Sequence, residues 1–242
     1  MDITGNERGK DLVIITGASR GIGRATVRSL VFEHGAHVLA LARDGAALES
    51  LARECAGASG GLEVATVDLA GDEAIELVLA AVAGRKVRAL VHNAGILHNR
   101  PMGQHRQLDL DQTFRVNVVA PLLLSQALAD PLAGDPPGHI VHISSMGGFH
   151  DSVKFPSLVG YSASKAALAC VSQCLAEEFR DRGIRSNCLA LGSVDTDMLR
   201  AAFPGYRAPI TVVEMGAFVA DFALRGHKLF NGKVLPVALS TP

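Results

Sequence analysis

The 242-residue chain carries 23 Lys plus Arg against 24 Asp plus Glu, a formal charge of -1, and is 48% hydrophobic and 19% charged. That balance excludes a disordered chain and a nucleic-acid binder that relies on bulk positive charge. No apolar run reaches the roughly 18 residues needed to cross a bilayer, and the polar start MDITGNERGKD lacks an apolar signal core.

In chain order the strand candidates are Leu12–Thr16, His37–Leu41, Glu63–Val67, Val87–Val91, His139–Ile143, Arg185–Leu189 and Lys233–Val237. Most are continuously apolar, as in a parallel sheet buried on both faces. Helical stretches lie between them: Gly23–Phe32, Ala46–Cys55, Asp72–Ala83, Leu108–Ala129, Tyr161–Arg182 and Thr211–Leu224. Glycines close several of these, as in His34-Gly35 and Arg182-Gly183. The alternation predicts an α/β fold, a doubly wound parallel seven-stranded sheet with helices on both faces. With no linker or repeat, residues 1–242 are expected to form one domain. Cys55, Cys170, Cys174 and Cys188 form no C-x-x-C pair. Cys170 and Cys174 are expected to be buried apolar thiols, and the chain is expected to be cytoplasmic.

The first strand runs into Gly17-Ala-Ser19-Arg20-Gly21-Ile22-Gly23 and then a helix. Glycines let the backbone turn tightly against a pyrophosphate, and a helix N-terminus presents free N–H groups to it. Thr-Gly-Ala-Ser-Arg-Gly-Ile-Gly resembles the short-chain dehydrogenase/reductase family, in its single-domain branch of about 250 residues. That resemblance covers essentially the whole chain and implies a Rossmann-like, NAD(P)-binding oxidoreductase.

The end of the second strand bears on the choice of cofactor. Ala42 stands where an acidic residue would hold the ribose 2′-hydroxyl of NAD, and Arg43 follows. Arg20 and Arg43 together suit a 2′-phosphate, so NADP(H) is expected over NAD(H), with Asp44 partly offsetting the charge. The resemblance further implies that Asp68 and Leu69 border the adenine. It places Asn93-Ala94-Gly95 beside the adenine ribose, with His92 where the family usually has another Asn. Gly192, Val194 and Thr196 would follow the sixth strand near the cofactor's amide and phosphates. Leu191 there replaces the usual proline, and Ala238-Leu239-Ser240 replaces the usual Asp-Gly-Gly.

Tyr161 and Lys165 are four apart on one helix face, so the phenol and ammonium are neighbours. A nearby ammonium is expected to lower the phenol's pKa and fit it for proton transfer. Ser144-Ser145 closes the preceding strand, where open α/β sheets bind ligands. The resemblance makes Ser145 the active serine, with Ser144 as the second choice. It also makes Asn117 the fourth member of a tetrad, holding a proton-relay water, and gives Lys165 a contact to the nicotinamide ribose. The 16-residue interval from Ser145 to Tyr161 is longer than expected, and 146–160 should bulge over the substrate.

Leu97, Met146, Phe149, Val153, Met198, Leu199, Phe203 and Tyr206 are candidate pocket residues. They suggest a lipophilic or aromatic carbonyl substrate. His98, His105 and His150 are candidates for the pocket mouth. His139 and His142 fall on opposite faces of a strand, so no metal site is assigned. Neither nucleic acid nor membrane is expected as a partner. Outward residues such as Leu122, Leu168 and Val171 suggest a homodimer or homotetramer. The leading expectation is an NADPH-dependent carbonyl reductase or alcohol dehydrogenase. The alternatives are an NADP-binding regulatory protein or sensor without turnover and, more weakly, a sugar-nucleotide epimerase.

Overall fold

The computed structural model describes residues 11–239. The polar start up to Lys10, and Ser240, lie outside the described residues. Seven strands form one sheet in the order β3-β2-β1-β4-β5-β6-β7. They are β1 (Leu12–Thr16), β2 (His37–Ala42), β3 (Gly61–Thr66), β4 (Val87–His92), β5 (Gly138–Ser145), β6 (Ile184–Leu191) and β7 (Val234–Val237). Every neighbouring pair is parallel.

Alternation along each strand divides the core into two layers. Val13 and Ile15 of β1 point into one apolar cluster with α1 (Gly21–Phe32), α2 (Gly45–Glu54) and α9 (Val212–Arg225). Leu12 and Ile14 point into the other, with α3 (Ala74–Val82), α5 (Ala120–Ala127) and α6 (Ala129–Leu132). Burial on both faces is why the strands read as continuous apolar runs rather than alternating ones.

Helix ends follow local chemistry. Asp44 caps α2 by accepting from Ala47 N at 3.0 Å, so its carboxylate serves the helix start. Thr211 and Glu214 form a capping box on α9. Gly35 and Gly183 take the left-handed φ values +60° and +64° that stop their helices.

Several expected elements differ in extent or regularity. The stretch Leu108–Ala129 is not one regular helix: α4 (Gln107–Phe114) passes through a π-helical turn, Arg115–Val119, before α5. Beyond it, α7 (Val159–Glu178) begins two residues before Tyr161. Strands β5 and β6 both run two residues further than the apolar pattern indicates, because Ser144 and Ser145 pair with Ala190 and Leu191. Leu191 therefore continues a regular strand, and the loop begins at Gly192.

Candidate active site

The chain leaves β3 on one side of β1 and re-enters the sheet as β4 on the other. This reversal opens a crevice beyond the carboxyl ends of the strands, and the glycine-rich turn occupies it. Gly17 has φ +68°, and a Cβ there would lie 2.7 Å from the Ala94 Cα. A Cβ on Gly23 would lie 2.4 Å from both Asn93 Nδ2 and Gly17 O. Asn93 locks the arrangement by donating from Nδ2 to Thr16 O at 2.9 Å and Gly17 O at 3.1 Å. The N–H groups of Asn93 and Ala94 donate to Thr16 Oγ1 at 3.1 and 3.0 Å. α1 then starts without a side-chain cap, so its N–H groups face the crevice.

A cavity of about 480 Å³ runs along this crevice. Gly17, Ser19, Arg20, Gly21, Ile22, Arg43, Asp68, Leu69, Asn93, Ala94, Gly95, Gly192, Val194 and Thr196 all line it. So do Ser145, Tyr161 and Lys165. Two candidates stand behind the wall. Gly23 packs under the turn, and Asn117 is completely buried in the π-helical turn.

Asn117 Oδ1 accepts from Ile96 N at 2.9 Å, and its Nδ2 donates to Ile96 O at 3.0 Å and Ser164 Oγ at 3.0 Å. The side chain thus fastens the segment after β4 to the residue beside Lys165. The π-helical turn supplies the offset that aims it there, as such turns do at functional sites. No side chain at Gly95 intervenes: a Cβ there would lie 3.3 Å from Lys165 Nζ and 3.4 Å from Asn117 Oδ1.

The adjacent serines diverge because they share a strand. Ser144 is buried and donates to Lys165 O at 2.8 Å. Ser145 faces the cavity, accepts from Gly147 N at 3.1 Å and lies beside the Tyr161 phenol.

Comparison with known proteins follows this geometry. Residues 11–207 match the family model described as short chain dehydrogenase. An L-xylulose reductase from Caenorhabditis elegans is 38% identical over 78% of this chain and 73% of its own. A carbonyl reductase [NADPH] 2 from Sus scrofa is 35% identical over 78% and 73%. A solved structure from Beutenbergia cavernae, assigned as an NAD(P)-dependent gluconate 5-dehydrogenase with bound NADP at low occupancy, superposes with a TM-score of 0.82. It is 31% identical, with 94% of this chain and 95% of that one covered. This chain belongs to the short chain dehydrogenase family. It is an oxidoreductase with the family's nicotinamide-cofactor fold.

The electrostatics of this short chain dehydrogenase correct one expectation. Tyr161 is not held below the ordinary phenol range: burial pushes it up, and the Ser145 hydroxyl only partly offsets this. The ammonium of Lys165 is turned to Ile143 O at 2.8 Å and stands 5.8 Å from the Tyr161 ring centroid. Burial lowers Lys165 itself to about 8. Desolvation thus sets the direction at the phenol, with the Ser145 hydroxyl opposing it.

The substrate end also departs from the sequence reading. Leu97, Met146, Met198, Leu199 and Phe203 line the cavity; Phe149, Val153 and Tyr206 do not. Phe155, Leu158 and Ala202 take part instead; Phe155 lies in a loop whose sequence has no periodicity to mark it, and Ala202 ends a six-residue helix. His98, His105 and His150 are off the cavity wall. His98 lies 3.9 Å from Asp109, and exposed His150 pairs with Asp151 at 2.7 Å. Buried His92 stacks on His142 with ring centroids 4.9 Å apart and contacts Ser125 Oγ at 2.9 Å.

Other expected positions change as well. Leu168 is buried and Val171 partly so, whereas Leu122 is 40% exposed. Cys170 and Cys174 are exposed rather than buried, because their helix face turns away from the sheet. Among the described residues no helix is long and apolar enough to cross a membrane.

Proposed function

We propose that this oxidoreductase is an NADPH-dependent carbonyl reductase, running in reverse as an alcohol dehydrogenase, with a lipophilic or aromatic carbonyl as substrate. One observation carries the reading: the glycine turn, Arg20, Arg43, Ser145, Tyr161 and Lys165 all border one continuous cavity. Names of relatives support it, since a carbonyl reductase [NADPH] 2 and L-xylulose reductases are among them.

The residues present fit a dinucleotide. Glycines allow close backbone approach at the uncapped start of α1. Arg20 and Arg43 on the wall, with Ala42 in place of an acid and Asp44 engaged in capping α2, favour the 2′-phosphorylated form. Asp68, Leu69 and Asn93-Ala94-Gly95 would border its adenosine half, and Gly192, Val194 and Thr196 its other half.

When bound, the nicotinamide supplies the hydride that the carbonyl carbon receives. Ser145 and Tyr161 would hold the carbonyl oxygen between two hydroxyls. Tyr161 then gives its phenolic proton to that oxygen, and an alcohol leaves. A phenol kept protonated by burial suits this direction, in which the group starts as an acid. Lys165, at about 8, would return a proton to the phenolate near neutral pH, and Asn117 would hold the segment that brings both together.

We place the protein in the cytoplasm as a homodimer or homotetramer. Four free cysteines support the location, and exposed Leu108, Phe114, Leu122 and Leu123 support the assembly. The test is a panel of aryl ketones, aldehydes and a pentulose, followed by NADPH and NADH absorbance. Faster reduction of aryl ketones with NADPH is expected. Tight NADPH binding without turnover across the panel would favour a sensor, and a preference for the pentulose would overturn the lipophilic assignment.

A further inference from the structure

Two aromatic rings meet over the substrate end of the cavity. Phe155, from the segment before α7, and Phe203, just after α8 (Asp197–Ala202), pack edge to face with centroids 5.3 Å apart and planes at 76°. Both rings line the cavity, and both are only partly buried. They come from segments 48 residues apart in the chain, so their contact closes one wall against the other.

Both sides are anchored to the same segment, at the adjacent residues Asn99 and Arg100. On the Phe155 side, Ser157 O accepts from Arg100 N at 2.9 Å, and Ser157 holds the left-handed φ of +69°. A non-glycine residue keeps that conformation only when its surroundings fix it. On the Phe203 side, Thr196 caps α8 by accepting from Leu199 N at 3.1 Å, and Asn99 Nδ2 donates to Ala202 O at 3.2 Å. Just past α8, Phe203 N donates to Leu199 O at 2.8 Å and Phe203 O accepts from Tyr206 N at 3.2 Å. The ring contact adds a side-chain link between the end of α8 and the segment before α7.

We propose that Phe155 and Phe203 form a clasp that sets the size of the accepted substrate, admitting compact apolar carbonyls and excluding those wide enough to part the rings. The proposal rests on the carbonyl-reductase reading above. The two rings in contact narrow the substrate end of the cavity, so a fused bicyclic group reaching into the space they fill displaces one of them. Differences of this kind in an apolar pocket change selectivity by about 10- to 200-fold per methylene-sized mismatch.

The experiment measures kcat/KM for 2-butanone and 2-acetylnaphthalene at saturating NADPH. It compares the wild type with Phe155→Ala, Phe203→Ala and the milder Phe203→Leu. Either alanine variant should raise the ratio of bulky to small ketone by roughly tenfold or more. NADPH affinity should stay within about twofold of wild type, because both rings lie at the substrate end. Phe203→Leu should move the ratio the same way by a smaller factor, which keeps the test available if an alanine variant fails to fold. An unchanged ratio in a variant that still binds NADPH overturns the clasp alone. A wild type that reduces neither ketone overturns the carbonyl-reductase reading itself, and the clasp with it.

Discussion

The glycine-turn end of the crevice and its substrate end are built on different principles. At the turn, backbone packs on backbone. Gly17 and Gly23 leave no room for a Cβ, and Asn93 spans the ends of β1 and β4 with hydrogen bonds at 2.9 and 3.1 Å. At the substrate end, side chains from separate loops meet across open space, as Phe155 and Phe203 do. The first arrangement tolerates almost no substitution, whereas the second can change shape without disturbing the sheet. That contrast lets a fixed cofactor chemistry be paired with a variable substrate pocket.

The contrast breaks first at Gly23. A Gly23→Val substitution drives a side chain into Asn93 and Gly17, and should abolish NADPH binding and lower the melting temperature sharply. A variant that titrates with NADPH like the wild type would show that the turn is not rigid. Next in size, Lys165→Met should reduce turnover by roughly 10²–10³-fold, the scale of an acid–base relay. NADPH affinity, read by fluorescence titration, should fall far less.

Arg20→Ala and Arg43→Ala should each weaken NADPH about tenfold, the loss of one charge-assisted contact, with NADH affinity little altered. Equal losses for both cofactors would remove the case for phosphate selection.

A last effect, on stability rather than on binding or turnover, concerns the core beneath the site. Burial lowers His92 to about 3 and His139 to about 4. Their folded values lie below the unfolded value of about 6.5. The unfolded chain therefore binds more protons between these limits, and the stability from each neutral ring is full above about pH 6.5. It is lost as pH falls towards about 4 for His139 and about 3 for His92, by about 1.4 kcal/mol per pH unit for each ring at most. Urea denaturation between pH 7 and 4.5 should show this slope, and His92→Asn should reduce it, leaving the part due to buried His139 and His142. Identical slopes would mean that His92 is already solvated in the folded state.

Legibility followed the same division. The parallel seven-stranded sheet and the glycine turn could be read because burial on both faces and the absence of a Cβ are written in residue type. The divergence of Ser144 and Ser145 could not be read, since it follows from β5 running through both residues, which turns Ser144 to Lys165 O and Ser145 to Gly147 N. Phe155 could not be read, since a loop has no period to say which residue turns inward. The exposed face of Cys170 and Cys174 was hidden for another reason: the buried side of α7 is rich in small polar residues such as Ser164 and Ser172. Apolar character alone therefore does not locate its core face. The elevated phenol was hidden too, because helix spacing gives the Tyr161–Lys165 neighbourhood but not the depth of burial.

Tyr161→Phe tests the central claim most directly. With an aryl ketone and NADPH, the variant should lose roughly 10²–10⁴-fold in turnover while binding NADPH as tightly as the wild type. Turnover at the wild-type rate would show that the proton comes from another group and would contradict the assignment of Tyr161 as the acid.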